Sequence, residues 1–292
     1  MLYDIRLTLQ YDYDAPVQGG RHLVRVMPLS VPGVQRVIAA SVTVDPKPDE
    51  ELTFSDFFAS SITAVAFKTP HRHLAVRLSA RVSVEDLSPP VDLSPTAPQV
   101  RDEVARLWSL DRHSPHHFLA ASPHVRLDQT ITAYAAASIE KTNSVQTAAL
   151  DLCQRIHRDF VYDAKATNVG TTASEAFALK RGVCQDFAHV MIAGLRGNGI
   201  PAGYVSGFLR TIPPKGKRRL EGADAMHAWV RVWCGSDVGW IGFDPTNAIH
   251  AGSDHILIGY GRDYADVSPI VGVLKTHGSH RTKQSVDVVL VG

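Results

Sequence analysis

Arg181-Gly182-Val183-Cys184-Gln185-Asp186-Phe187-Ala188-His189-Val190-Met191-Ile192-Ala193-Gly194-Leu195 reads as a turn leading into a helix that is apolar on nearly every side. Val183, Phe187, Met191 and Leu195 recur every four residues, and Ala188 and Ile192 widen the stripe until few directions remain for water. Such a helix belongs at the centre of a domain. Gly182 frees the backbone just before it. Cys184 stands in its first turn, where unpaired N–H groups and the positive end of the helix dipole favour a thiolate over a thiol. A cysteine on an apolar helix more often serves as a small buried hydrophobe. Its place at the helix start, rather than in mid-stripe, is what suggests a nucleophile.

Working outward, Thr172-Ala173-Ser174-Glu175 matches a capping box and predicts a short helix to about Leu179. On the other side, Gly197 to Gly199 ends the cysteine helix, Pro201 prevents its return, and Tyr204 to Arg210 reads as a strand. Met226 to Trp233 and Trp240 to Asp244 are two further strands, joined through the turn-rich Cys234 to Gly239 as an antiparallel hairpin. If Trp233 faces Trp240, then Trp229 faces Asp244 and His227 faces Thr246. His227 and Asp244 are then diagonal neighbours on one face, with Cβ atoms at most about 7 to 8 Å apart. A one-residue slip would turn Asp244 to the opposite face. Pro245, which cannot donate to a ladder, places Asp244 at the strand end.

The chain thus offers a nucleophile, a base and an orienter for the base in Cys184, His227 and Asp244. His227 takes or shares the thiol proton, and Asp244 fixes its tautomer and stabilises the imidazolium. Taken alone, His227 would read as a satisfied strand histidine. Trp229 and Trp233 share its face, either walling a cleft or packing in the core.

Before this half lies a β-rich one. Residues 2 to 12 alternate as a half-buried strand does, and His22–Met27, Gln35–Val44, Ile62–Phe67 and Leu74–Val84 follow between glycine and proline punctuation. The expected division is an antiparallel β domain over 1–86, a proline-rich linker over 87–98 and a catalytic domain over 99–292. The latter opens with helical patterns near Gln99–Leu110, Asp128–Glu140 and Ser144–Phe160, the last burying Cys153 as core. The fold class is α+β. His71 and His73 form an incomplete metal site, and His113, His116, His117 and His124 lack the partners and spacing of a zinc site, so they read as loop residues. Pro213 to Arg219 is a basic turn without the interleaved aromatics of a nucleic-acid surface; a role as a substrate lid is the other reading of it.

The 292 residues carry 30 Lys plus Arg and 29 Asp plus Glu, a formal net charge of +1, so no overall field favours nucleic acid or an anionic membrane. Three widely spaced cysteines fit a reducing compartment. With no signal-like N-terminus and no long apolar run, the chain reads as cytoplasmic.

Gly182-Val183-Cys184-Gln185-Asp186-Phe187-Ala188-His189, Gly199-Ile200-Pro201-Ala202-Gly203-Tyr204-Val205-Ser206-Gly207, His227-Ala228-Trp229-Val230 and Phe243-Asp244-Pro245-Thr246-Asn247 together resemble the bacterial transglutaminase-like superfamily, in the papain-like group of cysteine enzymes. Gly261 to Val267 with Pro269 and Gly272-Val273 looks like the same family's tail. Tyr3 to Arg6, Thr43 to Pro46 and Pro70-His71 look like its N-terminal β-rich domain. The resemblance implies a catalytic triad at Cys184, His227 and Asp244, in a core where the cysteine helix packs on an antiparallel sheet. Arg231 departs from the acidic residue that relatives often carry after the His-Ala-Trp segment, and the N-terminal match is patchy around Phe54 to Ser61.

The expected chemistry is acyl transfer on a carboxamide through a thioester, resolved by water or by an amine, with the Cys184 backbone N–H as one oxyanion donor. Hydrolysis by a cysteine peptidase or amidase is the favoured form. Transamidation is the alternative, without the calcium loop that would gate it, and a binding module on the same fold is a reading of another class. The expected partner is a peptide or protein amide, with no cofactor, metal, nucleic acid or membrane. Asp244→Asn is expected to lower turnover and leave the fold intact.

Overall fold

The computed structural model describes residues 1–85, 91–211, 222 and 224–291. The basic segment from Pro213 to Arg219 lies outside the described residues.

Strand β1 runs unbroken from Leu2 to Val24 where the sequence predicts two strands. The chain survives Pro16 because the ladder to its neighbour shifts register between Asp12 and Val17, so no N–H is needed there. Gly19 takes a positive φ of 69° and bends the strand without ending it. The first part of β1 pairs with β5 (His71–Val84) on one side and β14 (His280–Leu290) on the other. Its last part pairs with β4 (Ser61–Phe67) and β13 (Ile270–Lys275). β2 (Gln35–Asp45) extends the array beyond β5, and β3 (Glu50–Ser55) beyond β4. Alternate residues Tyr3, Ile5, Leu7 and Leu9 are buried, as period-two patterning requires.

The division expected at residue 99 therefore needs correcting at its far end. β13 and β14, placed with the catalytic half on sequence, complete the N-terminal sheet. Only Val286 and Val288 of β14 are buried, so the strand carries little apolar pattern of its own and is held chiefly by its backbone ladder to β1. The linker is also more tied down than its prolines suggest: Asp92 accepts hydrogen bonds from Ser94, Ser144 and Thr147 at the start of a later helix.

That later half opens with helices α1 (Ala97–Arg106), α2 (Gln129–Ile139), α3 (Val145–Asp159), α4 (Ala173–Leu179) and α5 (Cys184–Gly197) in chain order. Thr172 caps α4 as expected, its hydroxyl accepting from Glu175 N while Glu175 Oε2 accepts from Thr172 N. Two short parallel strands, β6 (Val161–Tyr162) and β7 (Arg181–Gly182), bring the chain to α5. Every residue of α5 from Gln185 to Arg196 is buried, which accounts for its apolar circumference. Gly182 is required for space: a Cβ there would lie 2.4 Å from Oδ2 of Asp186, the carboxylate that accepts from Val183 N and fixes the helix entry.

α5 packs on an antiparallel sheet ordered β11-β10-β9-β8-β12, made of β8 (Ala202–Leu209), β9 (Ala225–Trp233), β10 (Trp240–Asp244), β11 (Ile249–His250) and β12 (His255–Gly261). Ala202, Tyr204, Ala228, Val230 and Phe243 share a buried cluster with Phe187, Ala188 and Met191 of α5. α6 (Tyr264–Val267) then leads to β13. At the far end of the sheet, Phe208, Ile256 and Ile258 are buried against Tyr3, Ile5, Leu7, Val286 and Val288.

Two polar ties reinforce that apolar contact. Tyr3 donates to Asp254 at 2.9 Å, and buried Gln35 donates to Leu257 O and accepts from Leu257 N, each at 2.8 Å. Gln35 thereby satisfies the Leu257 N–H that the edge strand β12 would otherwise leave open, and joins Leu29 N on the Leu257 carbonyl.

Gly207, paired with His227 across β8 and β9, lies where the sheet is most crowded. A Cβ there would sit 2.2 Å from Ile256 O and 2.4 Å from the Trp229 ring. Gly207→Ala is expected to destabilise the protein by about 1–3 kcal/mol, the range for overpacking a core. A urea midpoint equal to that of the wild type would show that Trp229 can move aside.

Candidate active site

The hairpin forms in the expected register, from Trp240 opposite Trp233 to Phe243 opposite Val230. His227 near the start of β9 and Asp244 at the end of β10 meet as diagonal neighbours, His227 Nε2 lying 2.8 Å from Asp244 Oδ2. On its other side His227 faces Cys184, whose sulfur helps to raise the imidazole pKa, and because Nε2 is committed to the carboxylate, Nδ1 is the nitrogen left for the thiol. The sequence-predicted residues thus come together between the start of α5 and the end of β10.

Asp244 is fully buried and accepts five hydrogen bonds. Oδ1 takes the backbone N–H groups of Thr246 and Asn247; Oδ2 takes His227, the Asn247 side chain and His255 Nε2 at 3.1 Å. Burial alone would raise its pKa, but the hydrogen bonds from His227 and His255, the His227 charge and Asn247 outweigh it and hold the carboxyl well below its usual range. Burial likewise pulls His227 down, and the Asp244 and Cys184 partners reverse this, raising it to about 10. The pair is therefore built to keep an imidazolium beside the sulfur.

His255 escaped the sequence reading. It opens β12, eleven residues after Asp244, and although β9 and β8 separate β12 from β10 in the sheet, its side chain reaches the carboxylate. No spacing rule signals this. Its Nδ1 accepts from Gly252 N at 3.1 Å, which leaves the proton on Nε2, facing Asp244. Its role is to position the carboxylate. His255→Leu is expected to cost about 1.5–3 kcal/mol of stability, the range for a hydrogen bond to a charged group, and to displace the pH profile of turnover. A variant with an unshifted profile would reduce His255 to packing.

The nitrogen and oxygen atoms of His227, Asp244 and His255 lie within 4.8 Å of one another, close enough to suggest a metal. The tautomers argue otherwise, since both Nε2 atoms present protons to the carboxylate where a metal needs lone pairs. The other histidines do not converge either. His73 pairs with Asp45, His71 packs on Phe67 and Tyr13, His116 and His117 contact backbone carbonyls, His124 stacks on His189, and His113 faces Arg231.

Cys184 is the one partly accessible thiol, whereas Cys153 and Cys234 are buried and burial pushes both of their pKa values up. Trp229 is buried with Val205 and Leu257, its ring stacked near His227 and edge-on to His255.

This geometry has relatives. The transglutaminase-like superfamily matches residues 132–245, and the bacterial transglutaminase-like N-terminal region matches residues 3–83. Uncharacterized proteins of Mycobacterium tuberculosis and Mycobacterium bovis are 36% identical over 260 residues, spanning 87% of this chain and 82% of theirs. The protein-glutamine gamma-glutamyltransferase of Pseudomonas aeruginosa is 32% identical over 136 residues, which is 43% of this chain and 20% of that protein. A solved candidate cysteine protease from Cytophaga hutchinsonii shares the fold, with a TM-score of 0.77 at 22% identity over 99% of this chain and 90% of its own. The chain belongs to the transglutaminase-like superfamily.

Proposed function

We propose that the protein hydrolyses a peptide or amide bond through a thioester on Cys184. The carrying observation is the 2.8 Å contact of His227 with buried Asp244, with Cys184 beside the imidazole at the start of α5. Cys184 Sγ attacks the carbonyl carbon, His227 passes its proton to the departing amine, and water, deprotonated by the same imidazole, releases the acid. The Cys184 N–H in the first turn of α5 is suited to the oxyanion. Tyr162, exposed and paired with Gly182 in the strand that leads into α5, is the candidate for the second donor.

The same thioester can be resolved by an amine. The similarity to the Pseudomonas gamma-glutamyltransferase supports that second reading over part of the chain. A panel of peptides and glutamine-containing amides, followed by mass spectrometry with and without dansylcadaverine, separates the two. Free acid alone supports hydrolysis, and an amine adduct supports transamidation. Absence of both products, with no acyl-enzyme at Cys184, would leave a binding module. The cytoplasm is the proposed location, supported by three cysteines that are all unpaired.

A further inference from the structure

Beside the triad lies a cavity of about 380 Å³ whose lining includes none of Cys184, His227 and Asp244. Its wall includes Trp229, Arg231, Trp240, Tyr260 and His255. Val34, Glu85 and Gly252 at its rim are exposed, so it reaches solvent.

Arg231 is the unusual member. It is 4% exposed, and its guanidinium carbon lies 4.4 Å from the ring centroids of Phe118 and Trp240 and 4.1 Å from that of Tyr260. Nη1 reaches only His113 Nδ1 at 3.4 Å, and Nε and Nη2 have no hydrogen-bond partner. No carboxylate among the described residues pairs with it, although burying an unpaired cation costs several kcal/mol. Burial lowers its pKa only to about 10, so the charge persists at neutral pH. Three aromatic faces offset part of the cost. They satisfy none of the N–H groups; Nε and Nη2 are closed over in this structure, and once the Trp240 or Tyr260 ring swings aside the guanidinium fork matches a planar carboxylate.

We propose that this cavity binds a small carboxylic acid with an apolar body, its carboxylate on Arg231 and its body between Trp229, Trp240 and Leu257. The apolar wall asks for more than an inorganic ion, and the Glu85 carboxylate at the rim opposes multiply charged anions. An occupant would also rest on His255, the ring that donates to Asp244, so occupancy is expected to alter turnover from a site that holds no reacting group.

Titration of the whole protein with benzoate, followed by tryptophan fluorescence, tests this against benzamide, the neutral molecule of the same shape. Benzoate is expected to bind at least about tenfold more tightly, and Arg231→Gln to abolish the difference. Because that variant removes a buried stack, Gly252→Leu provides a second arm: a side chain there enters open space, leaves Arg231 in place and is expected to block benzoate. Equal affinities for benzoate and benzamide, undiminished binding in Gly252→Leu, or inorganic phosphate binding as tightly as benzoate would each overturn the proposal. A tripeptide compared with its C-terminal amide tells a chain end from a free acid as the source of the carboxylate.

Discussion

Asp244→Asn is expected to lower turnover by about 10⁴-fold and to destabilise the fold by about 3 kcal/mol. The second effect departs from the intact fold expected on sequence, and the hydrogen bonds explain it. Oδ1 is held by two backbone N–H groups that cannot turn away, and Oδ2 by three side-chain donors. An amide has one oxygen, so its NH2 must face donors whichever way it turns. With the oxygen kept on the backbone, the NH2 confronts His227 Nε2 and drives that proton to Nδ1, the atom the thiol needs. The base is then present in the wrong tautomer.

The pH dependence of stability carries the same signature. Asp244 has its pKa lowered in the folded protein, so its contribution is present above the ordinary carboxylate range near 4 and is lost as pH falls. His227 has its pKa raised to about 10, so its contribution is full below its ordinary value near 6.5 and is lost as pH rises toward 10. Wild type should therefore be most stable between these limits, and Asp244→Asn should flatten both slopes. Urea midpoints across pH 3 to 10 that run parallel for the two proteins would remove the coupling inferred here.

Brief iodoacetamide treatment at pH 6 is expected to alkylate Cys184 at least about a hundredfold faster than Cys153 or Cys234, and His227→Ala to erase most of that advantage. Access and chemistry act together. Cys153 and Cys234 are enclosed, with burial favouring their neutral thiols, whereas Cys184 is partly open and faces an imidazole held charged to about pH 10. Peptide mapping after intact-mass measurement reads the site directly. Labelling of Cys184 that is as fast in His227→Ala as in wild type would mean that accessibility alone explains its reactivity, and the imidazole would lose its role as base.

Much of this is legible in the sequence. The four-residue recurrence around Phe187 and Met191 marked a buried helix, and the Trp233–Trp240 register put His227 and Asp244 on one face, since both signals are local. What was hidden depends on segments meeting across the fold. His255 acquires its meaning from its side chain reaching Asp244, and Arg231 from rings contributed by residues 118, 240 and 260. β14 was missed because nine of its eleven residues are not buried, although the alternation Val286-Asp287-Val288 was available. The sequence predicts two strands where β1 is one, because Pro16 and Gly19-Gly20 break most strands; here register shifts at each site absorb them.

The ladder from Tyr3–Leu290 to Tyr13–His280 bears on how the chain comes off the ribosome. One border of β1 must stay open until residues 280–290 have been made, and contacts this distant in sequence form slowly. Throughout that interval a row of unpaired N–H and C=O groups is available to any neighbouring strand. A polypeptide ending at residue 278 is expected to aggregate in proportion to its concentration while the full chain stays monodisperse in light scattering; equal solubility of the two would show that the open border is shielded in some other way. Closure of the sheet around β1 thus waits on residues 280–290, far downstream of the strand they cover and remote from the chemistry.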